Sequence, residues 1–417
     1  MDSSTHRPPV YAKAADFLLI FIVFLTSRLM LLLAFPAESL VAYGDYLHYF
    51  NVASLSQSGG CMFATGLDNP CFPYIDYWYE FPPIFAYLNV GVFYLAGGQF
   101  KNYVIVLAVV LLIVEAGNLT LIYRLARILH GPVRAINLAW IYTALFVPVF
   151  FWLGNFDALT TFFILLALYA LIQSKSKLLA LALGLGTMVK FLPVMLLASV
   201  WRMKGVKSML GYTAATLLIS LVIFAPFALI NPEQTLASLR AQAGKSSYQT
   251  VWAIIDGNNT TGNFGPLIDH FYSARAGQPI NNPALIPTWL TLIPFGLLGL
   301  FVLTRPKFLD DFKFDVVVFT AFMVTIFFLW SQGWSPQWQT FLIPLLLLTF
   351  PEKRAVLFII VLGFINFLEW PLILSRGMIS LLPITIITRT LLLILIAIEL
   401  YRLLAPSLVS PVNESEV

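Results

Sequence analysis

The chain has 417 residues, of which 59% are hydrophobic and only 11% charged. Soluble globular chains carry about 25% charge, so a soluble enzyme, a disordered chain and a secreted disulfide scaffold are all excluded. At about 20 apolar residues per crossing, the composition supplies on the order of a dozen membrane segments. The apolar runs are continuous and do not alternate, which excludes an outer-membrane barrel. The expected class is an all-α polytopic membrane protein, a single integral domain over 1–417. Its partner is a lipid bilayer, and nothing points to nucleic acid.

In chain order, residues 1–15 are polar and include Arg7 and Lys13. The run from Asp16 to Phe35 lacks a small-residue cleavage site and reads as an anchor, not a cleaved signal peptide. Residues 36–101 form a long polar connection with its own apolar stretch at 80–98, which opens on a proline pair. Apolar runs follow near 102–123, 135–153, 156–173, 178–201 and 209–230. A second long connection covers 231–285. The last runs lie near 286–304, 315–331, 336–350, 355–373 and 380–400. No internal repeat and no soluble domain at either end is expected.

Two segments are ambiguous, and the excess of Lys and Arg in cytoplasmic loops decides them. With 80–98 as an in-plane outer helix and 178–201 as two half-helices meeting near Lys190, sixteen Lys and Arg face the cytoplasm and five face outward. Treating 178–201 as a full span gives eleven against ten, and making 80–98 a span as well gives twelve against nine. The first arrangement is therefore expected: about twelve membrane segments, two of them short or broken, with both termini cytoplasmic. Regions 36–101 and 231–285 are then extracytoplasmic loops of a plasma-membrane protein.

Ionisable groups at membrane depth cost roughly 2.5–3.5 kcal/mol each, so their positions are informative. Asp45 follows the first span closely, and His48 shares its helical face at i+3. Asp45 reads either as a general base at the membrane surface or as the N-cap of a helix running through Ala53. The segment Tyr74-Ile-Asp-Tyr-Trp-Tyr-Glu-Phe-Pro-Pro sets Asp76 and Glu80 among aromatic rings. That mixture suits a sugar, and equally an interfacial aromatic belt opening an in-plane helix at Pro82 and Pro83.

Asp157, in the turn Trp152-Leu-Gly-Asn-Phe-Asp, reads as a helix cap. Lys190 at a broken helix reads as an anion site for a lipid phosphate, with snorkelling as the bland alternative. Arg28 is a second candidate for phosphate. Trp334-Ser-Pro-Gln-Trp-Gln offers indole and amide donors at the interface, with Trp334 and Gln337 as candidate substrate contacts. Asn258-Asn-Thr-Thr-Gly-Asn-Phe-Gly is a lid or a simple connector, and Glu369 with Arg389 suggests a structural pair. Cys61 and Cys71 lie ten residues apart in the first loop, within bridging range if it faces an oxidising compartment. No paired CxxC or HxxxH suggests metal, and no Walker A, HExxH, GxSxG or DxD is present.

Taken in order, Gly44-Asp45, Glu80-Phe-Pro-Pro, Gly-Asn-Phe-Asp157, the Lys190 break and Ser335-Pro-Gln-Trp resemble the GT-C fold of membrane glycosyltransferases. The pattern is similar to bacterial polyprenyl-phosphate-sugar-dependent mannosyltransferase-like proteins. The resemblance implies an inverting enzyme that moves a hexose such as mannose from a polyprenyl phosphate to a glycan, lipid or protein acceptor. It implies Asp45 as the base and no cofactor. The missing DxD weighs against a metal-dependent, pyrophosphate-linked donor, so a divalent metal is not indicated. Rival readings are a transporter or lipid-linked-glycan flippase without catalysis, and a ligase that transfers a lipid-linked glycan.

The charge count generates the first prediction. Single cysteines placed at 60–70 or 255–262 are expected to react with an impermeant thiol reagent from outside, and one at 130 is not. Outside labelling at 130 reverses the topology.

Overall fold

In a bilayer every backbone N–H needs a partner within its own segment, so continuous apolar runs fold as helices. The computed structural model describes residues 10–42, 44–62, 66, 68–241, 246–262, 265–305 and 311–405. Arg7, Asn263, Phe264 and the side chain of Lys13, and Lys245 and Lys307 of the outward and cytoplasmic charge counts, lie outside the described residues. Among the described residues the chain forms helices joined by turns and loops, with no strand and only two isolated bridges, Pro73 with Tyr77 and Tyr248 with Gly333.

Among the described residues, six helices are long and apolar enough to cross a membrane: Ala15–Ala34, Phe100–His130, Val206–Ile230, Phe312–Trp330, Glu352–Leu374 and Ile379–Leu404. A seventh crossing is available if Pro132–Ala144 and Phe146–Trp152, bent by 56°, count as one. The protein is therefore a multi-pass membrane protein, but the expected twelve segments are too many. Apolar content overcounts spans because several apolar helices are short. Asp157–Ile172 has 16 residues and Ser176–Thr187 has 12. At 1.5 Å per residue these reach about 24 and 18 Å, against a hydrocarbon core of about 30 Å. Helix Gln339–Thr349 is buried along its whole length, so its apolar side chains face protein.

The proline pair opens helix Pro83–Leu95 as expected, with Pro83 at its first position, where a missing N–H costs nothing. Its 13 residues are too few to cross alone. The 178–201 run is interrupted too: helix Ser176–Thr187 ends, a 3₁₀ turn spans Leu192–Met195, and a new helix runs Leu196–Lys204. Pro193 has no N–H to continue the ladder. Ile84 N–H donates to Met188 O at 3.1 Å, which ties the proline-led helix to this break.

The connections gather at two ends of the bundle. At one end Asp45 N–H donates to Gly154 O, Trp78 N–H to His270 O and Tyr248 N–H to Gln332 O, all within 3.1 Å. There Cys61 and Cys71 form a buried disulfide with Cα atoms 5.7 Å apart. At the other end Arg134 donates to Phe350 O and Arg202 grips Asp315 through two bonds of 2.6 and 2.8 Å. Arg202 also donates to Val302 O, which joins three helices at one guanidinium.

The Arg202 and Asp315 side chains are only 1% and 2% exposed. Asp315→Asn leaves a buried guanidinium without its countercharge and is expected to cost about 3–5 kcal/mol. Arg354, 54% exposed and paired with Glu399, is expected to lose at most about 1 kcal/mol on mutation to Ala. Thermal unfolding in detergent measures both, and equal shifts would contradict this ranking.

Candidate functional site

Glycine fixes the geometry of the site. A Cβ on Gly44 would lie 2.4 Å from Gly154 Cα, so the first loop and the 154–157 turn touch backbone to backbone. Gly154 itself has φ +90°, a conformation that glycine adopts without penalty. The contact sets Asp45 beside Asn155 and Asp157, although more than a hundred residues separate them in the chain.

Asp45 occupies the N-cap position of helix Tyr46–Ser54, yet its side chain makes no cap hydrogen bond. The carboxylate turns away instead. Its Oδ2 accepts from Tyr49 Oη at 3.2 Å and from Gln337 Nε2 at 3.4 Å. Asn155, oriented with its amide nitrogen donating, lies 3.0 Å from the same oxygen. Among the described residues nothing donates to Oδ1. Burial chiefly, then the negative charge of Asp157 and of Glu80, push the carboxyl up to about 7, against the pull of the Tyr49 hydrogen bond and Lys190. A carboxyl poised there can take a proton near neutrality.

Asp157 begins helix Asp157–Ile172 but does not cap it. Its Oδ1 accepts from Lys190 Nζ at 2.7 Å, with side chains 2% and 20% exposed. The ammonium also lies 5.1–5.4 Å from the rings of Phe156, Trp338 and Phe341. Three aromatic faces and one carboxylate thus hold this lysine at the helix break.

These groups line one cavity of about 260 Å³. Asp45, Glu80, Asn155, Asp157, Lys190 and Gln337 supply its polar wall. Tyr248, Gln249, Thr261 and Gly262 of the second loop close another side, and Phe327, Trp338 and Phe341 an apolar one. Sequence reading had not singled out Tyr248, Gln249 or Tyr49. Tyr248 and Gln249 sit in a short polar stretch with no periodicity or motif to mark them.

Other expected site residues fall elsewhere. Asp76 is exposed and accepts from Phe72 N–H at 2.7 Å, closing a local turn outside the cavity. His48 does not line the cavity; its ring lies 6.3 Å from that of His270, which stacks on Trp78. Trp334 is buried, donates to Asn366 Oδ1 at 3.0 Å and carries the Arg389 guanidinium over its ring. Arg28 is buried inside the first helix, 3.6 Å above the Phe24 ring, and does not reach the cavity. Glu369 and Arg389 form the expected ion pair. Among the described residues no group of three or more His, Cys, Asp or Glu is arranged to hold a metal ion.

The chain matches no family model, and no curated protein matches it either.

The bond from Lys190 to Asp157 gives this lysine a structural role as well. Lys190→Ala is expected to destabilise the fold by on the order of 2 kcal/mol, because a nearly buried carboxylate loses its countercharge. Adding Asp157→Asn should recover part of the loss. Thermal unfolding of the four-member cycle measures the coupling, and strict additivity would deny it.

Proposed function

We propose that the protein is an inverting membrane glycosyltransferase, moving a hexose from a polyprenyl phosphate to an acceptor hydroxyl at the extracytoplasmic face. The observation that carries this reading is the pairing of Asp45, a carboxyl raised to about 7, with Lys190 in one cavity whose other side is aromatic and apolar. A base for a hydroxyl, a cation for a phosphate and an apolar flank for a lipid are the three things the reaction requires.

The donor phosphate lies at Lys190, which it shares with Asp157. The acceptor oxygen attacks C1 on the face opposite the phosphate. As the O–C1 bond forms, the C1–O bond to phosphate breaks and its electron pair leaves with the phosphate. Asp45 takes the hydroxyl proton on Oδ1. Tyr49, Asn155 and Gln337 hold Oδ2 and so fix the direction of the free oxygen. The Lys190 ammonium stabilises the charge that grows on the leaving phosphate where water is scarce.

Asp45→Asn keeps the shape and removes the base, so transfer of radiolabelled mannose from polyprenyl-phosphate mannose should fall about 10²–10⁴-fold while donor binding survives. Because the ionised carboxylate is the active form, the wild-type rate should drop about tenfold per pH unit below about pH 6 and level off above about pH 8. A near-wild-type rate in Asp45→Asn, with Glu80→Gln inactive, would move the role of base to Glu80. Absence of transfer in the wild type would favour a transporter.

A further inference from the structure

Tyr248 stands where three spaces meet. It lines the polar cavity around Asp45, and it also lines an apolar groove of about 530 Å³. That groove lies between helices Thr288–Thr304 and Phe312–Trp330 and the turn at Phe191–Met195. On a third side Tyr248 borders a small pocket of about 60 Å³ with Trp78, Glu80, Asp269 and Arg275.

Backbone packs closely against the ring. A Cβ on Gly333 would lie 2.4 Å from the Tyr248 ring, and one on Gly262 would lie 3.0 Å from it. Both positions therefore keep bare backbone against the aromatic. Tyr248 N–H donates to Gln332 O and its carbonyl accepts from Trp334 N–H, each at 3.1 Å. The next residue holds the strand of loop in place from inside the bundle. Gln249 adopts φ +52°, unusual for a residue with a side chain. Its carbonyl accepts from Arg389, and its side-chain amide donates to Glu369 Oε1 at 2.8 Å. Arg389 and Glu369 are paired to each other and almost wholly buried. A backbone conformation of this kind, held by a buried ion pair beside a cavity, marks a position whose placement is over-determined.

We infer that Tyr248 is the dividing post that registers a lipid-linked donor, with the tail in the apolar groove on one side of the ring and the sugar in the polar cavity on the other. This rests on the donor reading above. The post sets how far the lipid advances, and so places C1 at the height of Asp45. The Arg389–Glu369 pair positions the post without touching substrate.

Binding of two probes to the full chain in detergent tests this: polyprenyl phosphate, and the same lipid bearing one mannose. The wild type should prefer the mannosylated lipid by about tenfold. Tyr248→Ala should erase most of that preference while leaving affinity for the bare lipid within about threefold. Gly333→Ala, which displaces the ring without removing it, should do the same. Tyr248→Phe keeps the ring and should restore most of the preference. A merely structural role would weaken both lipids in parallel, and that result overturns the proposal, as does an undiminished preference in Tyr248→Ala. If the wild type binds neither lipid, the donor reading itself fails and the post with it.

Discussion

The site depends on one close approach, that of the Gly44 and Gly154 backbones. With 2.4 Å between a hypothetical Gly44 Cβ and Gly154 Cα, no side chain fits at that contact. It is sealed by the hydrogen bond from Asp45 N–H to Gly154 O at 2.8 Å. Everything polar in the cavity is measured from this seam. Asp45 directly follows Gly44, and Asn155 and Asp157 follow Gly154 by one and three residues. Lys190 arrives from the opposite wall because Asp157 draws it in. A loop at a membrane surface would ordinarily be among the least constrained parts of such a fold. Here it is fixed to the turn that carries Asn155 and Asp157.

Charge is distributed through the bundle with the same economy. Arg202 with Asp315, and Arg389 with Glu369, are buried pairs at opposite ends. Removing two charges from water offsets most of their attraction, so such pairs contribute little net stability over apolar residues of similar size. What they contribute is position. Arg202 reaches Asp315 and two carbonyls of a neighbouring helix end, and Arg389 reaches Glu369 and the Gln249 carbonyl. In each case a guanidinium with several donors in one plane joins elements that are distant in sequence. The second of these junctions sets the wall of the cavity.

The helical class and the placing of breaks were legible because they rest on local chemistry. Pro83 suits the first position of a helix and Pro193 falls where one breaks, although Pro226, Pro294 and Pro344 are accommodated inside helices. The number of crossings was not legible. A Leu facing lipid and a Leu facing protein look alike in a hydropathy window, so the fully buried Gln339–Thr349 segment reads as a span. The site shows the same division. Asp45, Glu80, Asp157, Lys190 and Gln337 sit at turns marked by Gly or Pro, and all five line the cavity. Asp76 and His48 are near neighbours of true cavity residues but point elsewhere, because spacing gives a face and not a direction in space. Trp334 is satisfied within the bundle by Asn366, and Arg28 is buried against the Phe24 ring away from the cavity. Tyr248 and Gln249 carry no local mark, since their position is set by Gly333 and Arg389, far along the chain.

The electrostatics of the cavity account for why the Asp45 carboxyl sits near neutrality. Around the cavity stand three carboxyl groups, Asp45, Glu80 and Asp157, and one ammonium, Lys190. Asp157 and Lys190 pair at 2.7 Å. Burial chiefly, and then the negative charge of Asp157 and of Glu80, make Asp45 hold its proton more tightly than an exposed carboxyl does. On the proposed donor reading, an arriving phosphate would add another negative charge and raise that affinity further. The same phosphate would compete with Asp157 for Lys190 and so remove cationic support from Asp45. Both effects would make the carboxylate a stronger base with a donor in place, and rarer at a given pH. Three donors on Oδ2 work against that loss by favouring the ionised form. The cavity thus balances basicity against occupancy, and Tyr49, Asn155 and Gln337 are the groups that set the balance.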